Sequence, residues 1–381
     1  MIYLDNAATT WPKPSSVLKE MNRCFKHYAA NPGRGGYDMA SRAGEAVYKC
    51  RCAVCDLVGL DNPENVIFTS NATHALNIAI KGTVRSGGHV IITSVEHNSV
   101  LRPVHSLGAS YDIARADIFG YVSADEVERL IRDNTCLIVC TLASNVCGSV
   151  QPFEKIAAIA KKHSIPFLLD ASQGLGAVNV DMNKMNIDML AAPGHKGLYG
   201  PTGTGILCLG GEYIPLPLTE GGTGSNSKEP FQPIELPDRL ESGTLNVVGI
   251  AGLMSGVNFV LNTGSDGIAH KENRLADMLA ADLLSIHGVR LAGYKAEGNR
   301  IGVLSAVIDG MDCVDAASRL NSDYHIAVRS GYHCSYIAHE TIGTAATGTI
   351  RFSFGAFNTI DEVKRTAFAV SRIAKRLYFL R

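Results

Sequence analysis

The chain has little tryptophan, Trp11 being the only one in 381 residues, and almost no net charge, with 35 Lys and Arg against 36 Asp and Glu. A balance of -1 gives neither the basic surplus of a nucleic-acid or anionic-membrane binder nor the acidic surplus of a solvating tail. Small molecules are the expected ligands, with no nucleic acid and no membrane. No apolar run reaches the ~20 residues that span a bilayer. The first residues, Met1-Ile2-Tyr3-Leu4-Asp5-Asn6, lack the basic and apolar regions of an export signal, so a cytoplasmic location is expected. The order G-x-x-x-x-G-K-[ST] is missing. The glycine-rich stretch 197–205 also lacks a strand-first G-x-G-x-x-G context, which excludes a nucleotide loop there. The ten cysteines are irregularly spaced and read as reduced thiols rather than a disulfide framework. Cys50, Cys52 and Cys55 cluster on a helix expected over 43–58, but no fourth ligand lies near them in sequence and no metal site is assigned.

What the chain does have is a large apolar fraction, 46%, distributed in a regular alternation. Strands are expected at 66–69, 89–93, 137–142, 166–169 and 189–192. Helices are expected at 14–28, 72–84, 124–132 and 153–163. Strands alternating with helices predict an α/β fold whose mostly parallel sheet is sandwiched by helices. The loops after the strands, 70–74, 96–99, 144–148, 170–173 and 194–196, then converge on one rim, the default ligand site of such a sheet. Residues 210–237 have little periodicity and are expected to be ordered by packing on something else, such as a second subunit. An apolar helix over 248–261 leads into a smaller α+β unit with strands at 300–308 and 349–354 and a last helix at 361–377. The expected division is a large domain over 15–255 and a small one over 256–381, joined by the N-terminal segment 1–14.

Two residues stand out on chemical grounds. Asp170 ends a buried apolar run, where a functional side chain is expected. Lys196 sits among Gly194, His195, Gly197 and Gly200, where backbone can approach a ligand closely, and desolvation there can make its amine a nucleophile. Asn6, and Arg34 in the glycine-rich loop 31–37, are further candidates, each as readily structural as functional.

The ordered set Glu96-His97-Asn98, Ser144-Asn145-Val146-x-Gly148, Asp170-x-x-Gln173, His195-Lys196, Glu241-Ser242-Gly243-Thr244-x-Asn246, Arg329-Ser330-Gly331-Tyr332-His333-Cys334 and Arg351-x-Ser353 closely resembles the pyridoxal-phosphate cysteine desulfurases. These belong to the class V aminotransferases, and the resemblance runs from Tyr3 to the final helix. It implies the fold-type I aminotransferase architecture, pyridoxal 5'-phosphate as cofactor and a homodimer. Lys196 would carry the cofactor covalently, and Asp170 would pair with its pyridinium nitrogen and keep the ring an electron sink. Gln173 and Asn145 would bond the phenolic oxygen, and His97 would stack on the ring. Ala72, Thr73 and His195 would hold the phosphate, joined by Thr244 from a neighbouring subunit.

The same resemblance makes Cys334 the nucleophile that takes sulfur from L-cysteine, or L-selenocysteine's analogue of it, as a persulfide, with L-alanine as the product. Arg329 and His333 would supply a field favouring its thiolate. Arg351, assisted by Arg329 and Asn145, would bind the substrate carboxylate. The short span from Cys334 to Arg351 resembles the compact-loop second group, which includes selenocysteine lyases, and implies a sulfur-acceptor protein that comes to the thiol. The chain departs from the family at Pro193-Gly194-His195-Lys196, where a hydroxyl residue usually precedes the lysine, and at Asn71 and His74 in the first phosphate loop. Selenocysteine lyase, a carbon-sulfur lyase releasing pyruvate, and a non-catalytic scaffold are the alternative readings.

Overall fold

The computed structural model describes residues 1–32, 35–225 and 227–378, with side chains through 375. Arg34 therefore lies outside the described residues. The chain begins with β1 (Ile2–Tyr3), α1 (Ser15–His27) and α2 (Asp38–Val58). The last of these stops at Gly59, whose φ of 70° is the left-handed cap a glycine accepts without strain. Then come β2 (Val66–Thr69), α3 (Ala72–Thr83), β3 (His89–Thr93), α4 (Asn98–Ser106), β4 (Ser110–Ala114), α5 (Ala124–Arg129), β5 (Thr135–Thr141), α6 (Phe153–Lys162), β6 (Phe167–Asp170), α7 (Met182–Met185), β7 (Met189–Pro193) and β8 (Gly205–Leu209). After a long coil follow α8 (Val247–Thr263), α9 (Ser265–Leu284), β9 (Val289–Ala292), β10 (Val303–Ile308), α10 (Cys313–Tyr324), β11 (Ile326–Ala327), β12 (Arg329–Gly331), α11 (Tyr336–Thr341), β13 (Thr349–Ser353) and α12 (Ile360–Tyr378).

Seven strands form one sheet in the order β2-β8-β7-β6-β5-β3-β4. Only β8 runs against its neighbours. Because β8 is antiparallel to both β7 and β2, the latter two point the same way and end on the same rim as β3, β5 and β6. Apart from the edge strand β4, the strands are mostly buried on both faces, which is why they read as apolar runs. Along β5, Ile138 and Cys140 enter one core while Leu137 and Val139 enter the core on the other face. Along β6, Phe167 and Leu169 face the first and Leu168 the second. In the inner strands Asp, Thr and His side chains stand at the ends, so Asp170 falls at the rim.

A third core forms on a four-stranded antiparallel sheet, β12-β13-β10-β9, covered by α9, α10 and α12. The N-terminal residues belong to this core: Ile2 and Leu4 are buried in it, and β1 pairs in parallel with β11. The division drawn between residues 255 and 256 falls inside α8, a largely buried helix that packs on α1 and α2 and ends at Gly264. No single helix among the described residues is long and apolar enough to cross a membrane; α8 and α9 pass only as a pair bent by 82°.

Candidate active site

The rim loops enclose a cavity lined by Asn71, Ala72, Thr73, His97, Ser99, Thr141, Ala143, Asn145, Asp170, Ser172, Gln173, Pro193, His195 and Lys196. Asp170 is 1% exposed at the end of β6, and its Oδ1 accepts the Ser172 amide at 2.9 Å. Lys196 is carried by a loop that packs against the 174–176 turn so tightly that a Cβ on Gly197 would lie 2.1 Å from the Leu175 carbonyl oxygen. Only glycine allows this approach. Burial lowers the Lys196 amine to about 8, helped by the positive charges of Arg351 and Arg329 and opposed by Asp170 and Asp5. At neutral pH it is thus far closer to a free base than an ordinary lysine.

The loop is tied to the N-terminus through one carbonyl. The His195 oxygen accepts from the Thr10 amide at 3.1 Å, the Thr9 and Thr10 hydroxyls at 3.1 and 3.2 Å, and Lys13 Nζ at 2.7 Å. The His195 ring faces the cavity with a buried Nδ1 that has no partner, and burial together with Lys196 and Lys13 lowers its pKa to about 4. It is a neutral hydrogen-bonding group.

His97 caps α4. Its Nδ1 accepts the Ser99 amide at 3.1 Å, so the neutral ring carries its proton on Nε2. Burial pushes its pKa down and the charge of Asp170 opposes the fall. Gln173 is 7% exposed and donates to the Ala7 carbonyl at 2.8 Å. At the opposite wall the first turn of α3 presents the amides of Ala72 and Thr73, which have no acceptor within the helix. The Thr73 and Ser99 hydroxyls pair at 2.8 Å beside them.

The small unit reaches this rim through hydrogen bonds to Asn98 and Asn145. Arg329 and Arg351 are direct cross-strand partners on β12 and β13, an arrangement of like charges that favours an anion between or beside them. Arg351 is 2% exposed; Nη1 donates to the Asn145 carbonyl at 3.0 Å, Nη2 to Asp5 Oδ1 at 3.0 Å, and Nε has no acceptor. It does not itself line the cavity. Cys334 is the exposed thiol among ten free cysteines, and Arg329 Nη2 lies 3.8 Å from its Sγ.

A protein-family model described as aminotransferase class-V matches residues 2–366. This chain belongs to the class-V aminotransferase family. A protein of Methanothermobacter thermautotrophicus described as a probable cysteine desulfurase is 33% identical, over 98% of this chain and 94% of that protein. A cysteine desulfurase of the cyanobacterium Synechococcus elongatus is 30% identical over 98% of this chain, which spans 60% of that longer protein. The solved apo structure of the cysteine desulfurase of Thermococcus onnurineus superposes with a TM-score of 0.91 at 30% identity, covering 98% of this chain and 94% of that one. The architecture is that of the fold-type I aminotransferases, an α/β fold with a mostly parallel mixed sheet.

Within this class-V chain, the structure brings Ala72, Thr73, His97, Asn145, Asp170, Gln173, His195 and Lys196 to one cavity. It does not bring Thr244 there: that residue is exposed in the coil before α8. Asn145 does more than line the wall. Its Nδ2 donates to the His333 carbonyl at 2.7 Å and its Oδ1 accepts from Ser335 Oγ at 2.8 Å, so it braces the residues on both sides of Cys334. The expectation that His333 lends positive charge to the thiolate is corrected. Burial and the neighbouring Arg351, His339 and Arg329 hold it neutral, with its pKa lowered to about 2. Of that pair only Arg329 brings a positive charge beside Cys334.

Asn6 is structural: buried, it donates to the Ser353 carbonyl at 2.9 Å and to Asn358 Oδ1 at 3.1 Å. Cys50 and Cys55 are core residues, and among the described residues no group of three or more His, Cys, Asp or Glu is arranged to hold a metal. Sequence reasoning passed over Asp5 as the partner of Arg351 and Glu96 as a buried acid. Glu96 Oε1 accepts from Thr93 Oγ1 and the Thr141 amide, both at 2.7 Å, while burial and then the charge of Asp170 push its pKa up to about 8. Its position beside His97 was visible in sequence, but its partners come from separate strands.

Proposed function

We propose that this chain is a cysteine desulfurase that uses pyridoxal 5'-phosphate to convert L-cysteine to L-alanine and holds the sulfur as a persulfide on Cys334. The cavity fits the cofactor on its own chemistry. It offers an amine lowered to about 8, a carboxylate buried at a strand end, a neutral His195 with an unpartnered buried nitrogen, and a helix N-terminus with free amides. Lys196 would hold the aldehyde carbon, Asp170 the ring nitrogen, and Gln173 with Asn145 the phenolic oxygen. His97 would cover the ring face, and Ala72, Thr73 and His195 would hold the phosphate. When bound, the cofactor supplies the electron sink that labilises bonds at the substrate's alpha carbon.

The residues of the chain do the rest. Arg351 and Arg329 attract and orient the substrate carboxylate, and Lys196 moves protons at the alpha and beta carbons. Cys334 Sγ attacks the substrate sulfur: an S–S bond forms, the C–S bond breaks, and the carbon takes a proton to become the alanine methyl group. Cysteine plus thiol gives alanine plus persulfide, so no outside oxidant is needed. Arg329, 3.8 Å from Sγ, stabilises the attacking thiolate. The observation that carries this reading is a desolvated lysine and a buried carboxylate in one cavity, with the exposed Cys334 thiol on a segment that Asn145, a residue of the same cavity wall, braces on both sides.

A homodimer is part of the proposal. Thr244 is exposed, and Phe231 and Ile234 in the preceding coil are 81% and 73% exposed, a surface that fits a subunit contact. An acceptor protein would take the sulfur from Cys334, and the ten unpaired thiols support a reducing, cytoplasmic setting. The test is to supply cysteine and reductant and quantify alanine, sulfide and pyruvate for wild type and Cys334→Ala. Wild type should release alanine and no pyruvate, and the variant should lose alanine release from cysteine. Undiminished alanine from Cys334→Ala would refute the persulfide route. Retention of alanine release from selenocysteine by that variant would place the chain with the compact-loop group.

A further inference from the structure

The segment that presents the nucleophile has an unusual backbone. Gly331, His333 and Cys334 have φ of 98°, 51° and 60°, and two consecutive non-glycine residues in the left-handed region persist only where the surroundings hold them. Three contacts do so from the large unit: the Asn98 amide to the Cys334 carbonyl at 2.8 Å, and the two Asn145 side-chain bonds to His333 and Ser335. A fourth comes from beneath, through the His333 side chain.

The direction of that fourth contact follows from its far end. Ser305 Oγ donates to the Val146 carbonyl at 2.6 Å, since a carbonyl can only accept. Thr349 Oγ1 spends its one hydrogen on Ser305 Oγ at 3.3 Å, so at 2.9 Å it accepts from His333 Nε2. The His333 proton is therefore on Nε2. All three side chains are buried, Ser305 and Thr349 completely and His333 at 4% exposure. The chain also closes on itself. Val146 follows Asn145, whose amide returns to the His333 carbonyl and whose own carbonyl holds Arg351 Nη1. Thr349 and Arg351 are two residues apart on β13 and share a face.

We infer that His333, Thr349 and Ser305 form a buried positioning relay that fixes the Cys334 thiol relative to Arg351, so that nucleophile and substrate anchor behave as one rigid part. This rests on the desulfurase reading for its catalytic consequence. The residues touch neither substrate nor cofactor; they act through the backbone of Cys334. The same relay explains why an exposed thiol sits on a short, strained segment instead of a mobile loop.

The test compares Thr349→Val, which keeps the shape and removes the hydroxyl, with Thr349→Ser, which restores it, and with Ser305→Ala. Alanine release from cysteine and the rate at which iodoacetamide alkylates Cys334, followed by mass spectrometry, are the two readouts. Thr349→Val is expected to lower kcat roughly 10- to 100-fold with KM within about 3-fold, because misplacing a reacting group costs rate more than binding. Its Cys334 alkylation rate should change several-fold, and Thr349→Ser should bring both values back to within about 3-fold of wild type. Wild-type kcat and alkylation in Thr349→Val, or a loss that serine does not rescue, would overturn the relay. If Thr349→Val does not fold, Ser305→Ala carries the test, and unchanged values in it overturn the relay equally. If the wild type releases no alanine, the desulfurase reading fails, while the alkylation comparison still decides the relay.

Discussion

Replacing Lys196 by Met in the protein without pyridoxal phosphate should stabilise it at pH 7. The lysine amine is held at about 8 against an ordinary 10.5, first by burial and then by Arg351 and Arg329. At about 1.36 kcal/mol per pH unit, the fall corresponds to roughly 3 kcal/mol at neutral pH, a ceiling because the cavity admits water. The sign follows from proton counting. Between about 8 and 10.5 the unfolded chain holds a proton that the folded chain has lost, so wild-type stability rises with pH there. Below about 8 both forms are charged and the folded state carries the full penalty. Methionine fills a similar volume with no charge, so Lys196→Met should exceed wild type by up to about 3 kcal/mol at pH 7. That advantage should fade as pH rises through 8 towards 10.5. Urea unfolding of both proteins at pH 7, 8.5 and 10 measures it. A difference that is independent of pH, or a variant less stable than wild type at pH 7, would refute the claim that this amine is strained by its site.

Glu96, pushed up to about 8 in its pocket, ionises in the unfolded chain above 4.5 while the folded chain stays protonated, so its contribution to stability falls as pH rises from 4.5 to 8. Glu96→Gln should flatten that fall, read by thermal melting across the same range. Arg51 and Glu241 form a buried pair at 2.6 Å whose carboxylate also accepts the Phe68 amide, anchoring the segment that leads to Thr244. Arg51→Met should cost about 3 to 5 kcal/mol in urea unfolding by leaving Glu241 buried and unpaired. Pro193 lines the cavity without a donor, and Pro193→Ser should tighten pyridoxal phosphate binding by up to about five-fold, the worth of one added hydrogen bond, as measured by titrating cofactor absorbance.

Much of the large unit was legible because its signals are local. The runs at 166–169 and 189–192 are apolar on both faces, as strands covered by helices must be, and they stop where Asp170 and the lysine loop begin. Four of its elements escaped, β4 and α7 along with the two that follow. The helix α4 carries Pro103 in its interior, which breaks the expected pattern. The strand β8, Gly205–Leu209, is an apolar five-residue run like its neighbours, and nothing within it says that it runs antiparallel. Sequence spacing likewise joined residues 1–14 to neither core, whereas Ile2 and Leu4 pack into the small one.

The sequence by itself determined the residue types and their order: an acid at a strand end, a lysine among glycines, a cysteine in the run Arg329-Ser330-Gly331-Tyr332-His333-Cys334. These are properties of short segments, set by burial and turn chemistry along the chain. Only the tertiary structure decided what those groups are worth. It places Arg351 beside Lys196, Asp5 on Arg351, and Asn145 on both flanks of Cys334, contacts that span up to 346 positions. It also makes His333 a neutral anchor instead of a charge. Charge, desolvation and strain are sums over neighbours in space, and the neighbours of Lys196 and Cys334 come from opposite ends of the chain. The amine at about 8 and the thiol held on a left-handed backbone exist only once those ends have met.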